Sequence, residues 1–463
     1  MKLNYFNFKR LNNRILMTND FGKYVFVTEE ELKLVIAGHM DSESDLYKRL
    51  TESGMIYDQT DLEFSEHSRY LIREAKSHVE TATSLHIFVV TTACNMRCVY
   101  CQANNGLVQP CLYMDEETAE KAVDIALQSP KRLLTFEFQG GEPLLNFSII
   151  KHIVEYTEAR KGDHEIYYNV VTNLTLLTDE MLCFFKEYRF GISTSLDGPP
   201  QVNDCNRMFA DGSGTYRRVM KSIEKIRSAG MQVGAIQTTT RNALVSPEAV
   251  VRTYAELGFE SIFIRPLTPL GKAMVDWDQI GYTAEEFLCF YKRAFEELIR
   301  VNCEGRYMRE AHASIFLRRI EGQRMNYMEL RSPCGAGIGQ LAYYADGNVF
   351  TCDEGRMLYE MGDDAFCLGT VFRDTYTDLI RNPVCKAACA ASVLESIPTC
   401  CDCVYQPYCG TCPVVNYASF GDVIEKSPGS YRCRIYAGIQ DIIFEKILEN
   451  NPQTVHILKS WSN

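Results

Sequence analysis

Three cysteines fall within eight residues in Cys94-Asn95-Met96-Arg97-Cys98-Val99-Tyr100-Cys101. This C-x3-C-x2-C spacing on one loop lets three thiolates take three irons of a cubane and leaves the fourth iron open to a ligand. A zinc site would want four protein ligands, or three with a histidine nearby, and no histidine follows here. A second constellation runs Cys334, twelve residues, Gly347, four residues, Cys352, then Cys400-x2-Cys403-x5-Cys409-x2-Cys412, and finally Cys433. A zinc ribbon is the competing reading, but its paired motifs usually lie ~15–20 residues apart. The two pairs here are five residues apart. The other nine cysteines (111, 183, 205, 289, 303, 367, 385, 389 and 401) read as core residues, with Cys385-x3-Cys389 packing in an alanine-rich helical stretch.

The elements that must position these groups follow from apolar periodicity. β-branched runs occur at His86–Ala93, Leu134–Gln139, Ile166–Thr172, Phe190–Leu196, Gln232–Thr239 and Ser261–Leu267. Between them lie helical patterns such as Glu116–Leu127, Asp179–Tyr188, Tyr216–Ala229 and Pro247–Leu257. Strands alternating with helices predict parallel βαβ units, closed as a doubly wound sheet or an incomplete (β/α) barrel. Either way, chemistry belongs at the C-terminal strand ends. The first cysteine motif follows the first strand. Gly140, Gly141, Glu142 and Pro143 follow the second, where glycines permit close backbone approach to a ligand. Asn173 ends the third strand, Ser195 and Asp197 end the fourth, and their polar groups suit ribose hydroxyls. Arg265, closing the sixth, should contact cofactor or substrate at the barrel mouth.

Residues 1–80 hold no cysteine and read as a separate small αβ module. Arg14–Thr18 and Lys23–Thr28 predict a hairpin, Glu29–Ala37 a helix stopped by Gly38, and Ser42–Ser53 a second helix ended by Gly54. From about residue 331 periodicity weakens and ten of the nineteen cysteines fall between Cys334 and Cys412, the mark of a module folded around metal. The closing segment Tyr436–Asn450 has helical spacing.

Length and composition bound the rest. At ~150 residues per domain, 463 residues suggest about three domains. Hydrophobic content of 46% with 23% charged residues excludes wholesale disorder. No apolar run approaches the ~20 residues that span a bilayer, and the first residues carry no secretory signal, so the expectation is a cytoplasmic protein without a membrane partner. A net charge of −12 argues against a general nucleic-acid partner.

The Cys94–Cys101 motif, with Gly140-Gly141-Glu142-Pro143 after the second strand, resembles the signature of the radical S-adenosylmethionine enzymes over roughly residues 85–305. That resemblance implies a [4Fe–4S] cluster on Cys94, Cys98 and Cys101 whose open iron chelates S-adenosylmethionine, and cleavage of the sulfonium to a 5′-deoxyadenosyl radical. It implies that Tyr100 packs near the adenine, that the Gly140–Pro143 segment contacts the methionyl amine, and that Ser195 and Asp197 face the ribose. Asn203-Asp204-Cys205-Asn206-Arg207 looks like the family's H-D-x-x-R segment with asparagine for histidine, and implies that Arg207 pairs with the cofactor carboxylate. The second constellation resembles a SPASM domain, here 331–450, implying two auxiliary [4Fe–4S] clusters and three clusters in all. By analogy Cys400, Cys403, Cys409 and Cys433 hold the distal one, and Cys334, Cys352 and Cys412 the proximal one. The C-x2-C ending at Cys412 departs from the usual C-x3-C. Three cysteines leave the proximal cluster one open iron unless Cys401 or an outlying residue fills it. The order of elements in 1–80 resembles winged-helix-like, PqqD-like domains that hold leader peptides.

The expected architecture is therefore α/β: a partial (β/α)6 TIM-type barrel between that module and a loop-rich Fe–S domain. The layout resembles the His-Xaa-Ser system (HxsB-like) maturases and their peptide-modifying relatives. It implies a maturase that installs an intramolecular cross-link, thioether or carbon–carbon, in a ribosomally synthesised precursor peptide held by its leader, with a flavodoxin- or ferredoxin-type electron donor. Asp353, Glu354 and Asp402, beside presumed ligands, are the candidate proton acceptors. The alternatives are an anaerobic sulfatase-type maturase forming formylglycine, which needs no leader module, and a cluster-bearing redox sensor without turnover.

Overall fold

The six apolar runs form six parallel strands because each buries one side under helices and lines a lumen with the other. The computed structural model describes residues 1–103, 111–323, 327–424 and 429–462. At the N-terminus come β1 (Lys2–Leu3), β2 (Asn7–Leu11), β3 (Arg14–Thr18), β4 (Tyr24–Val27) and β5 (Ile56–Tyr57). β2, β3 and β4 form an antiparallel sheet, and β1 pairs with β5. Helix α1 (Glu29–Ala37) starts at a Thr28–Glu31 capping box and stops at Gly38, whose φ of 68° suits a residue without Cβ. Helix α2 (Asp45–Glu52) begins three residues later than the Ser42 start expected, because Ser44 supplies the cap, accepting from the Tyr47 N–H at 3.2 Å. β2 and α3 (Asp61–Ala75) had no place in the sequence reading.

This small sheet has two apolar faces. Ile15, Met17, Val25 and Val27 pack with Leu32, Val35, Leu46 and Leu50 in a local core. Leu11 and Leu16 instead join the main core, and Tyr24 and Phe26 meet Phe444 edge-on at 5.3 and 6.3 Å. Thr18 Oγ1 donates to the Val404 carbonyl at 2.7 Å, and Lys9 pairs with Asp441 at 2.6 Å. The module is thus seated on the C-terminal cysteine region.

The barrel strands are β6 (Leu85–Thr91), β7 (Leu133–Gly140), β8 (Glu165–Val171), β9 (Gly191–Ser195), β10 (Gly234–Thr238) and β11 (Ser261–Arg265). Helices α4 (Glu116–Ala126), α5 (Phe147–Arg160), α6 (Asp179–Glu187), α7 (Pro200–Asn206), α8 (Tyr216–Ser228) and α9 (Pro247–Glu256) intervene. Period-two alternation sorts each strand. Phe136, Phe138, Val170, Ile192 and Ile264 are buried beneath the helices, each worth ~1.5–3 kcal/mol on burial. Thr135, Glu137, Gln139, Asn169, Ser193, Ser195, Thr238 and Arg265 line the lumen.

The sheet runs further than six strands. β12 (Arg309–Glu310), β13 (Gln340–Tyr343), β14 (Asn348–Phe350) and β15 (Cys367–Thr370) extend it to ten, in the order β12-β11-β10-β9-β8-β7-β6-β13-β14-β15. β12 and β13 are parallel to their neighbours β11 and β6, whereas β14 and β15 are antiparallel. The cysteine-rich region therefore enters the barrel sheet directly. Its closing helix is Tyr431–Glu449, starting five residues before the expected Tyr436 because Ser430 caps it. Among the described residues no helix is long and apolar enough to cross a membrane.

Candidate functional site

The loop carrying Cys94, Cys98 and Cys101 leaves β6 and is tied down by its backbone. The N–H of Arg97 donates to the Met208 carbonyl at 2.8 Å and that of Val99 to the Asn206 carbonyl at 2.9 Å. From the other side the Gly141 N–H donates to the Thr91 carbonyl and the Glu142 N–H to the Ala93 carbonyl, both at 2.8 Å. A Cβ at Gly140 would lie 2.2 Å from the Thr91 oxygen, and one at Gly141 2.3 Å from the Ala93 oxygen. The glycines therefore permit close approach of the chain to the chain, where the sequence had suggested approach to a ligand. Gly271, at φ 56°, does the same against the carbonyls of Cys101 and Gln102, and no sequence signal singled it out.

A cavity of about 700 Å³ opens beside the three thiols. Its wall includes Tyr100, Gly140, Gly141, Asn173, Ser195, Arg207 and Arg265, together with Asp353 and Glu354. The other expected cofactor contacts stand one layer back. Glu142 is fully buried, its carboxylate accepting from Thr172 Oγ1 at 2.6 Å, the Asn173 N–H at 2.7 Å and the Leu144 N–H at 3.1 Å. It fixes the end of β8 against the cysteine loop. Pro143, also buried, opens the turn after it. Asp197 is fully buried too, and accepts from Tyr100 Oη and Asn206 Nδ2, both at 3.0 Å. Arg207 completes this network by donating to Tyr100 Oη at 2.9 Å. Asp197 thus positions Tyr100 and Arg207 and does not itself reach the cavity wall.

The residues fit an iron–sulfur cluster with a carboxylate-bearing ligand. Burial pushes the Cys101 thiol up to about 11, so this group becomes a thiolate only with a cation to hold it. Burial also raises Cys98, against the pull of the Arg207 guanidinium. Arg207 Nε is buried on the cavity wall without a protein partner among the described residues, a donor waiting for an acceptor. Asn173 Nδ2 donates to Asn95 Oδ1 at 2.9 Å and so links the cavity wall to the cysteine loop.

The acids divide. Asp353 is ion-paired at 2.7 Å with Arg356, which is itself buried and reaches Gln139 Oε1 at 3.4 Å. Glu354 lines the cavity two residues after Cys352. Asp402 does not belong here: it is exposed and accepts from Tyr5 Oη of the N-terminal module at 3.1 Å. Adjacency to cysteines in sequence had suggested it, but Cys400 and Cys403 face inward while the residues between them face the module. Glu137 was missed. Burial raises its carboxyl and Gln139 Nε2 donates to it at 2.6 Å, on the lumen side of β7. Period-two alternation through Thr135, Glu137 and Gln139 could have found it.

The second constellation separates into two groups. Cys400, Cys403, Cys409 and Cys433 share the wall of one cavity of about 60 Å³. Cys334, Cys352 and Cys412 are buried in one apolar cluster with Leu270 and Ala336. Burial, reinforced by the Glu354 carboxylate and then by the Cys412 and Cys334 sulfurs, raises Cys352 well above its ordinary range. Cys401 stands apart, its carbonyl accepting from Asn7 Nδ2 at 3.2 Å. Cys385 and Cys389 lie one turn apart on the helix Pro383–Ala390, and Cys385 packs on Gly337.

A family model described as the radical SAM superfamily matches residues 88–257. Residues 88–257 are thus a radical SAM domain, a fold that implies S-adenosylmethionine and a [4Fe–4S] cluster. The chain is 22% identical over 333 residues to the cysteine-type anaerobic sulfatase-maturating enzyme of Clostridium novyi, covering 70% of this chain and 86% of that one. An uncharacterized Methanocaldococcus jannaschii protein is 32% identical over 40% of this chain, which spans 63% of its length. Among solved structures, native anSMEcpe with bound AdoMet is similar in fold at a TM-score of 0.69 and 20% identity, over 82% of this chain and 99% of that one. Streptococcus suis SuiB, seen with S-adenosylmethionine and separately with its precursor peptide SuiA, matches at 0.55 and 14% identity, over 92% and 99%.

Proposed function

We propose that this protein is a peptide maturase that installs an intramolecular cross-link, a thioether by preference, in a ribosomally made precursor. The observation that carries the reading is the N-terminal module. It has its own core, and it is docked by Asn7, Lys9 and Thr18 on the cysteine-rich region rather than tethered loosely. A peptide held by this module lies on the body that bears the cavity. The SuiB likeness also spans more of this chain than the anSMEcpe likeness does, 92% against 82%.

Cys94, Cys98 and Cys101 would hold the cluster, which with S-adenosylmethionine would supply radical hydrogen-abstraction chemistry. The chain's own groups do the rest. Arg207 would pair with the ligand carboxylate through its buried Nε, while Asp197 and Tyr100 hold the guanidinium in place. Gly140, Gly141 and Asn173 shape the wall beside it, and Ser195 and Arg265 offer hydroxyl and guanidinium contacts across the lumen. Glu137 and Glu354 are the groups on this wall suited to take a proton from the peptide, and Asp353 keeps Arg356 oriented toward Gln139. Cys334, Cys352 and Cys412 would hold a proximal auxiliary cluster, and Cys400, Cys403, Cys409 and Cys433 a distal one. A flavodoxin- or ferredoxin-type carrier would deliver electrons.

The test is the mass of the neighbouring small peptide after anaerobic co-expression, with thiol alkylation. Hydrogen loss in pairs matched by lost alkylatable thiols supports a thioether, and hydrogen loss with every thiol alkylatable moves the reading to a carbon–carbon bond. A sulfatase-type activity is the second reading, favoured by the Clostridium novyi relative. Deleting residues 1–80 separates the two: leader-dependent modification is lost and sulfatase-type oxidation survives. Because that deletion uncovers Phe444, loss of product counts only where 5′-deoxyadenosine formation persists.

A further inference from the structure

One carboxylate of the lumen has no counter-charge among the described residues. Alternation turns Glu137 of β7 into the cavity, level with its register partners Ile87 on β6 and Asn169 on β8, which line the same wall. Gln139 Nε2 donates to Glu137 Oε1 at 2.6 Å. That amide is held the right way round, because Arg356 Nη2 donates to Gln139 Oε1 at 3.4 Å and Asp353 holds Arg356 at 2.7 Å. The relay Asp353–Arg356–Gln139 thus delivers one N–H to Glu137 and no charge. The other cations of the wall are engaged elsewhere, Arg207 on Tyr100 Oη at 2.9 Å and Arg265 over the Phe263 ring at 5.4 Å.

Asn169 brings a second open polar group to the same level. Its side chain makes no hydrogen bond among the described residues. Gly191, its register partner on β9, leaves room for it: a Cβ there would lie 2.3 Å from Asn169 Oδ1. Adjacent strands run ~4.8 Å apart, so the carboxylate and the amide face the lumen side by side, with the apolar Ile87 on the other flank. A carboxylate withdrawn from bulk water beside one neutral donor is costly until a positive partner joins it. Burial raises its carboxyl, and the Asp353 charge acts in the same direction. Depth separates this level from the cofactor end. Gly140, which closes β7 against the cysteine loop, lies three residues beyond Glu137, ~10 Å along the strand. Lysine and arginine carry their charge on a flexible aliphatic stem, which suits Ile87 as the charged head suits Glu137 and the Asn169 amide oxygen.

We propose that Glu137 and Asn169 form a subsite for one cationic side chain, lysine or arginine, of the peptide that this protein modifies. The inference deepens the maturase reading and rests on it: Glu137 binds the peptide before any proton moves, and the substrate class narrows to peptides with such a side chain near the reacting residue. Seated there, the cation balances the buried carboxylate and holds the peptide in one register.

The experiment is steady-state peptide modification by the anaerobically reconstituted full chain, with the neighbouring small peptide as probe. Each lysine and arginine of that peptide is replaced singly by glutamine, so this arm leaves the enzyme untouched. One replacement is expected to raise the peptide KM at least tenfold. Glu137→Gln is expected to raise the parent peptide's KM by a similar factor, and to add nothing when combined with that replacement. Where Glu137→Gln does not fold, Asn169→Ala takes its place in the same cycle. A peptide lacking lysine and arginine, or one in which no replacement moves KM, overturns the proposal. So do effects that multiply, which place the cation elsewhere, and a Glu137→Gln loss confined to kcat, which leaves the carboxylate a proton acceptor alone. A rise in the KM for S-adenosylmethionine in place of the peptide KM assigns Glu137 to the cofactor and overturns it as well. Parent enzyme that forms 5′-deoxyadenosine but leaves the peptide's mass unchanged refutes the maturase reading itself, and the inference with it.

Discussion

Replacing Gly141 with alanine tests whether the glycine pair positions the cysteine loop. The new methyl would lie 2.3 Å from the Ala93 oxygen and 2.5 Å from the Thr92 oxygen, whereas ordinary contact begins at 3.4 Å. The loop must retreat by about 1.1 Å at the residue immediately before Cys94. Both clashing atoms are backbone, so no side chain can swing away. Overpacking of this kind costs ~1–3 kcal/mol, a shift of only ~1–3 °C in Tm for a chain of this size. The larger effect falls on the site, where a displacement of ~1 Å costs on the order of 100-fold in rate. The assay is 5′-deoxyadenosine formed per enzyme under anaerobic reduction, beside iron content and thermal melting. Gly162→Ala is the control: its φ of 52° costs ~1–2 kcal/mol in backbone strain, which Gly141 does not carry, but nothing lies within 4 Å of the added methyl. Gly141→Ala is expected to lose about two orders of magnitude in 5′-deoxyadenosine formation, and Gly162→Ala only stability. Equal behaviour of the two variants would refute the argument.

Cys409→Ala and Cys412→Ala, three residues apart, are expected to remove different EPR signals; loss of the same signal would show that the C-x2-C pair serves one cluster. Glu137→Gln should lower peptide product at least tenfold while 5′-deoxyadenosine still forms, and Asp402→Asn should leave both unchanged; quantifying both products in one reaction checks the pair. Glu310, buried with Tyr291 Oη at 2.5 Å and the Ala313 N–H at 2.7 Å on its carboxylate, is pushed up by burial to about 7 from 4.5. The folded chain keeps this proton where the unfolded chain releases it, so the stability it contributes is full below about pH 4.5 and lost as pH rises through about 7. Glu310→Gln should flatten that slope in urea unfolding series, at the cost of ~0.5–2 kcal/mol for the weakened helix cap.

What the sequence discloses and what it hides follow from the same strands. Ile87 to Val90 or Phe136 and Phe138 announce a strand because burial under helices demands apolar side chains. Glu137 and Gln139, woven between them, look like interruptions until alternation puts them in the lumen. β13 to β15 are too short and too mixed to signal a strand alone, and β13 forms because β6 offers an unpaired parallel edge. α3 lacks a buried residue, so it leaves almost no apolar stripe to read. At the site, residue type was legible and depth was not. Glu142, Asp197 and Ser195 look equivalent as polar residues at strand ends, yet only Ser195 reaches the cavity. The two carboxylates are spent on Asn173, Thr172, Tyr100 and Asn206, and through them they fix the wall that a ligand meets. That division has a physical logic. A flexible ligand bound by a single exposed layer would leave its partners free to reorient, whereas charges buried behind the wall set Arg207 and Asn173 before anything binds. Asp402 shows the converse, since sequence neighbours of a ligand that turn to the opposite face share none of its chemistry.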